Sequence, residues 1–209
     1  VLAFAIIAAL QILGLQTTSL VAVLGGVALA IGLALQDTVS DIASVAMLLA
    51  FRPFSLGQYV DIGGTEGTVK GIALFTTTLD TADNVRLIMP NSSVWGQVIK
   101  NYGVNDTRRI DLLIGVSYAD DLSKVKTIIE QVIAEDARIL AEPAPVVAVH
   151  ELADSSVNLV VRPWCKREDY WTVRWDITQR VKEALEAQGC SIPFPQRDIH
   201  LIRESADVA

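Results

Sequence analysis

The sequence predicts a membrane α-helical segment, followed by a small all-β barrel domain and an α+β domain of the ferredoxin-like type. Three observations predict this order: an uncharged apolar run at residues 17–36, five short β-type runs between residues 56 and 103, and alternating strand and helix patterns after residue 108. The 209 residues have a mean hydropathy of +0.40, and the apolar excess lies almost wholly before Phe54. The remaining ~150 residues suffice for one or two compact soluble domains.

The first fifteen residues, VLAFAIIAALQILGL, are apolar except for Gln11. As a helix they would cover only roughly 22 Å, which is less than the ~30 Å of a bilayer's hydrocarbon core. We therefore expect residues 1–16 to form the end of a preceding transmembrane helix. The sequence starts without Met or a cleavable signal pattern, and we interpret it as the C-terminal part of a longer membrane protein.

Residues 17–36, TTSLVAVLGGVALAIGLALQ, would reach roughly 30 Å as one helix and could span a membrane. At about 100° per residue, bulky side chains collect on two opposite faces and small ones on both flanks. Leu29 and Leu33 share one face with Ala22, Gly26 and Gln36. The opposite face carries Leu20, Leu24, Val27, Ile31 and Leu35. One flank carries Gly25, Ala28 and Gly32, and the other carries Ala30 and Ala34.

Two small flanks allow a helix to approach a neighbour closely on each side, with the glycines of one copy receiving the alanines of the next. Such a heterologous contact closes into a homo-oligomeric ring and leaves Leu29 and Leu33 facing a central axis. We therefore predict a pore constriction at these two leucines. A glycine-zipper dimer or an ordinary packed membrane helix is the alternative that the helix alone leaves open.

The polar residues DTVSD at 37–41 interrupt the apolar pattern, and Asp37 is the expected N-cap of a second helix. The helix break is therefore predicted at Gln36 and Asp37. The second helix ends before Pro53, is too short to cross a bilayer, and is expected to lie along its surface or against the following domain. Arg52 is the first cationic side chain, so the positive-inside rule predicts that the part after it is cytoplasmic.

Asp37 and Asp41 directly follow the predicted constriction. In a symmetric ring each carboxylate would be repeated in every copy and would raise the local cation concentration. Simple helix capping by Asp37 is the alternative role.

Five short β-type runs follow the second helix: QYVDI, GTVKGIALF, TTTLDT, VRLIM and VIKNY. Turn residues separate them at Gly63 with Gly64, at 82–84, and at Pro90 with Asn91. Gly67 and Gly71 lie among the strands and fit turns and a bulge. Five short strands with tight turns are typical of a small barrel.

From residue 108 the pattern becomes strand (IDLLIGVSY), helix (121–135), strand (VVAVHEL), strand (NLVVRPW) and helix (169–188), the order of a ferredoxin-like sandwich. Asp169 is the predicted N-cap of the second helix, and Gly189 its end. The apolar periodicity predicts buried positions at Leu122, Val125, Ile128, Ile129, Val132 and Ile133, and at Val173, Ile177, Val181, Ala184 and Leu185. Trp164, Trp171 and Trp175 are expected to be core or subunit-contact aromatics.

Composition and spacing exclude several other functions. The net charge of −7 argues against nucleic-acid binding. Cys165 and Cys190 lack metal-ligand spacing and are expected to be reduced cytosolic thiols. His150 begins HELAD, which lacks the second histidine of a zinc protease motif, and His200 is isolated. No phosphate-binding or nucleophile motif is present, so we predict no catalytic residues, no metal and no cofactor.

Ordered motifs across about residues 13–203 resemble the small-conductance mechanosensitive channel (MscS) family. They are VAVLGGVALAIGLALQD, the FRPF turn at 51–54, GQYVDIGGTEGTVKGI, TADN with MPN at 89–91, and IPFPQ at 192–196. The resemblance implies a homoheptamer in which Leu29 and Leu33 match the two leucine rings of the family's pore. It also implies an Sm-like β domain, a hollow cytoplasmic cage with side portals, and a terminal strand from DIHLIRE. The tension-sensing helices would lie upstream.

The expected domains begin with the end of a preceding transmembrane helix at 1–16 and a pore and surface helix at 17–52. An Sm-like domain at 53–103, an α/β domain at 104–191, and a strand and tail at 192–209 follow. Two positions depart from the family pattern: Asp37 replaces a helix-breaking glycine, and Val45 replaces a second glycine in the surface helix. Flexibility at the break is therefore in question. If the second glycine is a hinge for desensitisation, this chain is expected to inactivate poorly.

The expected function is a tension-gated, low-selectivity channel of the bacterial inner membrane that releases ions and small osmolytes during hypo-osmotic shock. Its expected partners are copies of itself, membrane lipids and the permeating solutes. One rival is a membrane-tethered Sm-like RNA-binding or other binding module, but residues 53–107 carry three Lys or Arg against five Asp or Glu. The other rival, a membrane-anchored enzyme, lacks clustered catalytic residues.

Overall fold

The computed structural model describes residues 7–9, 12–13 and 17–200. The chain divides into two compact units, Val1–Val104 and Asn105–Ala209, and each has its own hydrophobic core. In the first unit, residues 7–9 and 12 are helical. They are followed by helix α1 (Thr18–Ala34) and helix α2 (Gln36–Phe51), which are bent by 53° relative to each other at Leu35.

The helix α1 is shorter than the sequence predicts, because it ends at Ala34 instead of Gln36. Its 17 residues reach about 26 Å at 1.5 Å per residue, so the expected 30 Å span by this helix alone is wrong. Within the described residues, no single helix is long and apolar enough to cross a bilayer. The bent pair of α1 and α2 together has the necessary length and composition.

The β domain of the first unit is one antiparallel sheet in the order β4-β3-β2-β1-β5. Its strands are β1 (Tyr59–Ile62), β2 (Thr65–Ile72), β3 (Thr76–Asp80), β4 (Arg86–Pro90) and β5 (Ile99–Asn101). The five predicted runs are confirmed. Gly63 and Gly64, at φ 59° and 92°, form the two-residue hairpin turn between β1 and β2, a backbone that favours glycine. The predicted bulge is also confirmed, since the register shifts between Val69 and Gly71.

Alternating side chains of this sheet face a small core. In β3 the buried residues are Thr77 and Leu79, and their neighbours are half-buried. A short helix that the sequence analysis missed, α3 (Asn91–Trp95), follows β4. The core consists of Leu48, Phe54, Val60, Ile62, Val69, Leu79 and Val94. The helix α2 therefore contributes Leu48 to the core of the β domain.

The second unit has the sheet order β7-β9-β8, with β7 (Leu112–Val116), β8 (Val146–Leu152) and β9 (Val157–Arg162) antiparallel. Helices α4 (Leu122–Ala134) and α5 (Tyr170–Ala187) share its core, as the ferredoxin-like order predicts. A separate two-stranded sheet joins β6 (Thr107–Arg109), which was not predicted, to β10 (Trp164–Lys166).

The helix ends of this unit match the prediction only in part. Asp121 caps α4, with its carboxylate accepting the Ser123 N–H at 2.8 Å. Asp169 stands at the start of α5, but its side chain caps nothing, because a 3-10 turn at Arg167–Asp169 leads into the helix. Gly189 has φ 77° just after α5, as expected of a helix end.

The predicted buried helix positions are confirmed, except that Leu122 and Ala184 are only half-buried. Core placement of the tryptophans is wrong for Trp171 and Trp175, which are 53% and 63% exposed, while Trp164 is half-buried. The predicted terminal strand DIHLIRE is tested only in part. Residues 198–200 form no strand within the single chain, and residues 201–204 lie outside the described residues.

Candidate functional site

The candidate site is the helix α1 and the first turn of α2. No side chain from Thr18 to Ala34 is buried within the single chain. Leu29 and Leu33 are 65% and 63% exposed, and Leu24 on the opposite face is 41% exposed. A contiguous apolar surface of this extent is unfavourable in water, so α1 must be covered by lipid or by other helices.

The two flanks of α1 are open. A Cβ atom added at Gly25, Gly26 or Gly32 would meet no other heavy atom within 4 Å. The predicted packing residues, Ala22, Gly25, Gly26, Ala28, Ala30, Gly32 and Ala34, are all exposed. Small side chains with free space beside them permit close helix approach. Their role in contacts between copies stays a prediction.

The break between the helices lies one residue earlier than predicted. Leu35 separates them, while Gln36 begins α2 and Asp37 is in its first turn. Asp37 is thus not the N-cap. The Leu35 N–H bonds the Ile31 carbonyl at 3.0 Å, and the Leu35 carbonyl accepts the Val39 N–H at 3.0 Å, so the chain bends without freeing the polar groups of Leu35. An acidic side chain in the first turn is still favourable, because it faces the positive end of the helix dipole.

The helix α2 is attached to the β domain at three points along its length. Near its start, the Asp41 carboxylate accepts the backbone N–H of Ser92, in α3, at 2.8 Å. Leu48 lies in the β-domain core with 1% exposure. At its end, the ring of Phe51 stacks on Trp95 with 5.9 Å between ring centroids. Asp41 therefore has a structural partner, which reduces its availability as one of the two predicted ring carboxylates.

Two polar anchors organise the β domain below α2. Buried Asn91 accepts the Thr77 hydroxyl at 2.8 Å, and its amide donates to the Ala73 carbonyl at 3.0 Å, so α3 is fixed to the sheet. Asp61 is buried beside the Lys100 ammonium at 2.8 Å and also accepts the Gly64 N–H at 2.7 Å. Lys100 and this N–H hold the pKa of the Asp61 carboxyl below its usual range.

An ion-pair network that the sequence analysis missed links α4 to α5. Asp136, just after α4, accepts two guanidinium nitrogens of Arg138 at 2.9 and 2.7 Å. Arg138 also bonds Asp176 of α5 at 2.7 Å. The Arg138 hydrogen bonds lower the pKa of Asp136. Asp176 is 38 positions from Arg138, so only the spacing Asp-x-Arg at 136–138 could have signalled the local pair.

The residues considered for chemistry are dispersed. Cys165 and Cys190 are buried free thiols, and His150 is exposed at the bulge of β8. Within residues 7–9, 12–13 and 17–200, no three His, Cys, Asp or Glu side chains are grouped so that they could hold a metal ion. The main features of the described residues are thus the exposed apolar helix α1 and the attachment of the next helix, α2, to the β domain.

Three family models match the chain in succession. They are "Mechanosensitive ion channel, transmembrane helices 2/3" at residues 1–36, "Mechanosensitive ion channel, beta-domain" at 37–104, and "Mechanosensitive ion channel MscS, C-terminal" at 110–192. The chain belongs to the MscS family of mechanosensitive ion channels. The boundary between the first two family models lies next to the observed break at Leu35.

The sequences of individual MscS relatives are similar to this chain over most of its length. It is 46% identical over 201 residues to a small-conductance mechanosensitive channel of Edwardsiella ictaluri, covering 96% of this chain and 70% of the relative. It is 44% identical over 191 residues to an uncharacterised MscS family protein of Synechocystis, covering 91% of this chain and 64% of the relative. The chain thus spans about two thirds of the length of these curated relatives.

The fold also matches a solved MscS structure. The closed-state crystal structure of Helicobacter pylori MscS superposes with a TM-score of 0.89 at 36% identity, covering 95% of this chain and 79% of that one. The predicted order of membrane helix, β domain and ferredoxin-like domain in a homo-oligomeric ring is therefore the fold of this family. MscS proteins are membrane proteins and ion channels, a kind of protein distinct from enzymes.

Proposed function

We propose that this chain is the pore-forming and cytoplasmic part of a tension-gated channel that releases ions and small osmolytes during hypo-osmotic shock. The observation that carries the proposal is α1, an uncharged helix with every side chain exposed, two leucines on one face and small residues on its flanks. Membership of the MscS family supports the same function. The proposed location is the bacterial inner membrane, with the part after Arg52 in the cytoplasm.

The proposed pore is a ring of α1 helices, seven by family resemblance. Glycine flanks of one copy receive alanine flanks of the next, as in other close helix contacts in membranes. Leu29 and Leu33 then form two apolar rings about 6 Å apart along the axis, at 1.5 Å rise over four residues. A narrow passage lined by leucine offers no hydrogen bonds to water or ions, so it blocks conduction by dewetting.

The remaining proposed domains follow from the same family resemblance. Residues 1–16 complete a preceding membrane helix, 17–52 form the pore and surface helices, and 53–103 form the Sm-like ring. Residues 104–191 enclose the cytoplasmic cage, and 192–209 supply its terminal strand. The three attachments of α2 to the β domain support a surface helix that moves with that domain.

The decisive experiment is single-channel recording of the full-length protein in a membrane patch under pipette suction. Stepwise currents that appear only above a threshold tension are expected, with weak discrimination between cations and anions. A full-length protein that inserts and assembles but gives no current at any tension short of patch rupture contradicts the proposal. Binding of RNA at low salt by such a silent protein would favour the tethered binding module instead.

A further inference from the structure

Three arginines meet one aspartate at the start of β7, and we call these four residues the Asp111 cluster. The Asp111 carboxylate, directly before β7, lies 3.1 Å from Nε of Arg109 and 2.9 Å from Nε of Arg162. The Arg174 guanidinium, from α5, donates to the Asp111 backbone carbonyl at 3.2 Å. Three positive charges thus meet one negative charge, a local surplus of two positive charges in a chain whose net charge is −7.

The arginines of this cluster use few of their hydrogen-bond donors. Arg109 donates to Asp111 through Nε, and Nε of Arg162 is buried but forms no hydrogen bond despite its 2.9 Å distance from the carboxylate. Within the part of the chain that the structure describes, no hydrogen bond uses the terminal Nη atoms of Arg109 or Arg162. Arg138, in contrast, forms three hydrogen bonds to carboxylates through Nε and Nη2. The cluster therefore retains two guanidinium groups whose outer edges can bind an oxyanion.

An exposed apolar strip adjoins the cluster on the same face of the sheet. Alternate residues of an extended chain share a face, so Leu113 lies on the face of Asp111, and Val160 lies on that of Arg162. Leu113 is 55% exposed and pairs directly with Val160 in the β7–β9 register. The intervening Leu112 belongs to the buried core on the opposite face. An anion held by the arginines would therefore place an attached apolar group against Leu113.

We propose that the Asp111 cluster binds a soluble organic phosphate monoester, with the phosphate on Arg109 and Arg162 and the ester group on Leu113. A phosphate monoester carries about −1.5 to −2 charges at pH 7, which matches the surplus of two positive charges, whereas a monocarboxylate carries half as much. The planar guanidinium fork suits the oxygens of a phosphate, and Arg174 adds its charge from the edge of the strand. The site is independent of tension gating and adds a ligand to the proposed function.

Saturation-transfer NMR of phenyl phosphate with the full-length oligomer in neutral detergent tests the site, because the method detects weak ligands through their ring protons. A titration at constant ionic strength, set with chloride, should give saturable binding in about the millimolar range expected of exposed ion pairs. Inorganic phosphate should displace the probe. Benzoate, which has the ring but one charge, should bind much more weakly.

Four variants assign the binding to the cluster. Arg162→Gln should weaken phenyl phosphate binding roughly tenfold, the effect of losing one charged hydrogen bond. Lys182→Gln is the matched control, since it removes one positive charge from an exposed pair with Glu186 in the same unit, and it should leave the binding constant unchanged. Leu113→Ser should weaken the binding of phenyl phosphate but not that of inorganic phosphate.

Asp111→Asn, the fourth variant, gives the sharpest result, because it removes the carboxylate that competes for the arginines and repels the anion. Binding should become tighter, which a misfolded protein cannot imitate. Absence of saturable binding to the assembled wild-type oligomer, an equal loss in Lys182→Gln and Arg162→Gln, or weaker binding in Asp111→Asn overturns the inference.

The same phosphate monoester group is also the headgroup of phosphatidic acid, so a second arm distinguishes the two sources. The oligomer is placed in phosphatidylcholine nanodiscs with and without phosphatidic acid. Phenyl phosphate should bind with the same constant in both. Displacement by phosphatidic acid that disappears in Arg162→Gln would overturn the soluble source.

Channel recording of the same protein separates this site from the proposed function. Phosphate binding with the expected variant pattern in a protein that never conducts would support the site and refute the tension-gated function. Normal tension-gated currents in a protein that binds no phenyl phosphate would refute the site alone.

Discussion

Leu33 shows how one side chain can set the proposed gate. It lies on the face of α1 opposite Leu24, and both side chains are exposed in the single chain. A hydroxyl at the constriction would hold water and lower the barrier to wetting. Leu33→Ser should therefore open at lower tension and slow growth through leakage, as measured by patch recording and growth curves.

Leu24→Ser is the matched control, because it makes the same change on the opposite face. It should not create a wetted pore. If Leu24→Ser leaked while Leu33→Ser had the normal threshold, the lumen would have to be sought on the face of Leu24, Ile31 and Leu35.

Asp136 gives a pH-dependent prediction at a single carboxylate. Its pKa in the folded chain lies below the ~3.9 of an unfolded aspartate, because Arg138 donates to the charged form. Its stabilisation is therefore complete above pH ~4 and is lost as the pH falls through the lowered folded pKa. Hydrogen exchange at the Ile139 and Leu140 amides should increase over that acidic range, once corrected for intrinsic rates.

The Asp136→Asn variant provides the comparison. It should show faster exchange at the same two amides at neutral pH and little further change on acidification. An unchanged exchange rate at neutral pH would indicate that the Arg138 pair does not hold this loop.

Residue roles were the least predictable part of the molecule. The apolar periodicity predicted burial at Ile129 and Ile177 because local spacing determines it. It could not show that Asp41 bonds Ser92, 51 positions away. Asp37 was misplaced as an N-cap, since the bend at Leu35 keeps its backbone bonded and requires no capping side chain.

The helix α1 carries a prediction about packing. Gly32 lies on an open flank, where an added Cβ atom meets no other heavy atom of the single chain within 4 Å. In the ring, Gly32→Leu would force adjacent helices apart or prevent their sliding. A changed gating tension, or a less stable oligomer in size-exclusion chromatography, is expected.

Leu20→Met serves as a control for general effects of changing α1, because it changes shape but not bulk on a face outside the flanks. A normal threshold together with normal assembly in Gly32→Leu would contradict the predicted ring of helices.

The first turn of α2 carries a prediction about ion preference. Asp37 is exposed in the described chain, whereas Asp41 accepts the Ser92 N–H. We therefore expect Asp37→Asn to reduce cation preference more than Asp41→Asn does. The reversal potential in a potassium chloride gradient measures this change. An unchanged reversal potential, even in the double variant, would contradict a role for these carboxylates in ion preference.

The five β-type runs were predicted with greater success than the shortest elements. All five β-type runs became strands because alternation and turn glycines are local signals. The missed elements, α3 and β6, are five and three residues long. Segments this short derive their conformation from tertiary contacts, such as the Asn91 hydrogen bonds to Thr77 and Ala73.

At the scale of the whole chain, the two units have separate cores, and this predicts separable stability. Ile129 is fully buried in the core of the second unit. Ile129→Ala should destabilise that unit by about 2–5 kcal/mol. Hydrogen exchange should therefore increase in α4, α5 and their sheet, while the amides of β1–β3 keep their protection.

Val69→Ala provides the reciprocal comparison, since Val69 is fully buried in the β-domain core. It should affect the first unit and spare the second. Equal loss of protection in both units by either variant would show that they unfold together.

The order of folds along the chain was predictable, because each type has its own sequence period. The apolar helix, the β domain and the α+β domain occur as expected, and the family models match in the same order. In the second unit, the surfaces that meet another copy were not predictable, since the apolar periodicity there indicates only which residues are buried and which are exposed. The exposed pair Trp171 and Trp175 is an example, as the pattern left core and contact roles equally open.

The bonded bend at Leu35 determines where mechanical work can be stored. Because the amide and carbonyl of Leu35 are both satisfied, a change in the angle between α1 and α2 need not begin by breaking a hydrogen bond at this residue. In the proposed channel, resistance to opening then comes chiefly from wetting the proposed leucine rings and from sliding the proposed helix flanks past each other. Substitutions at Leu35 itself should consequently alter the speed of transitions more than the threshold tension.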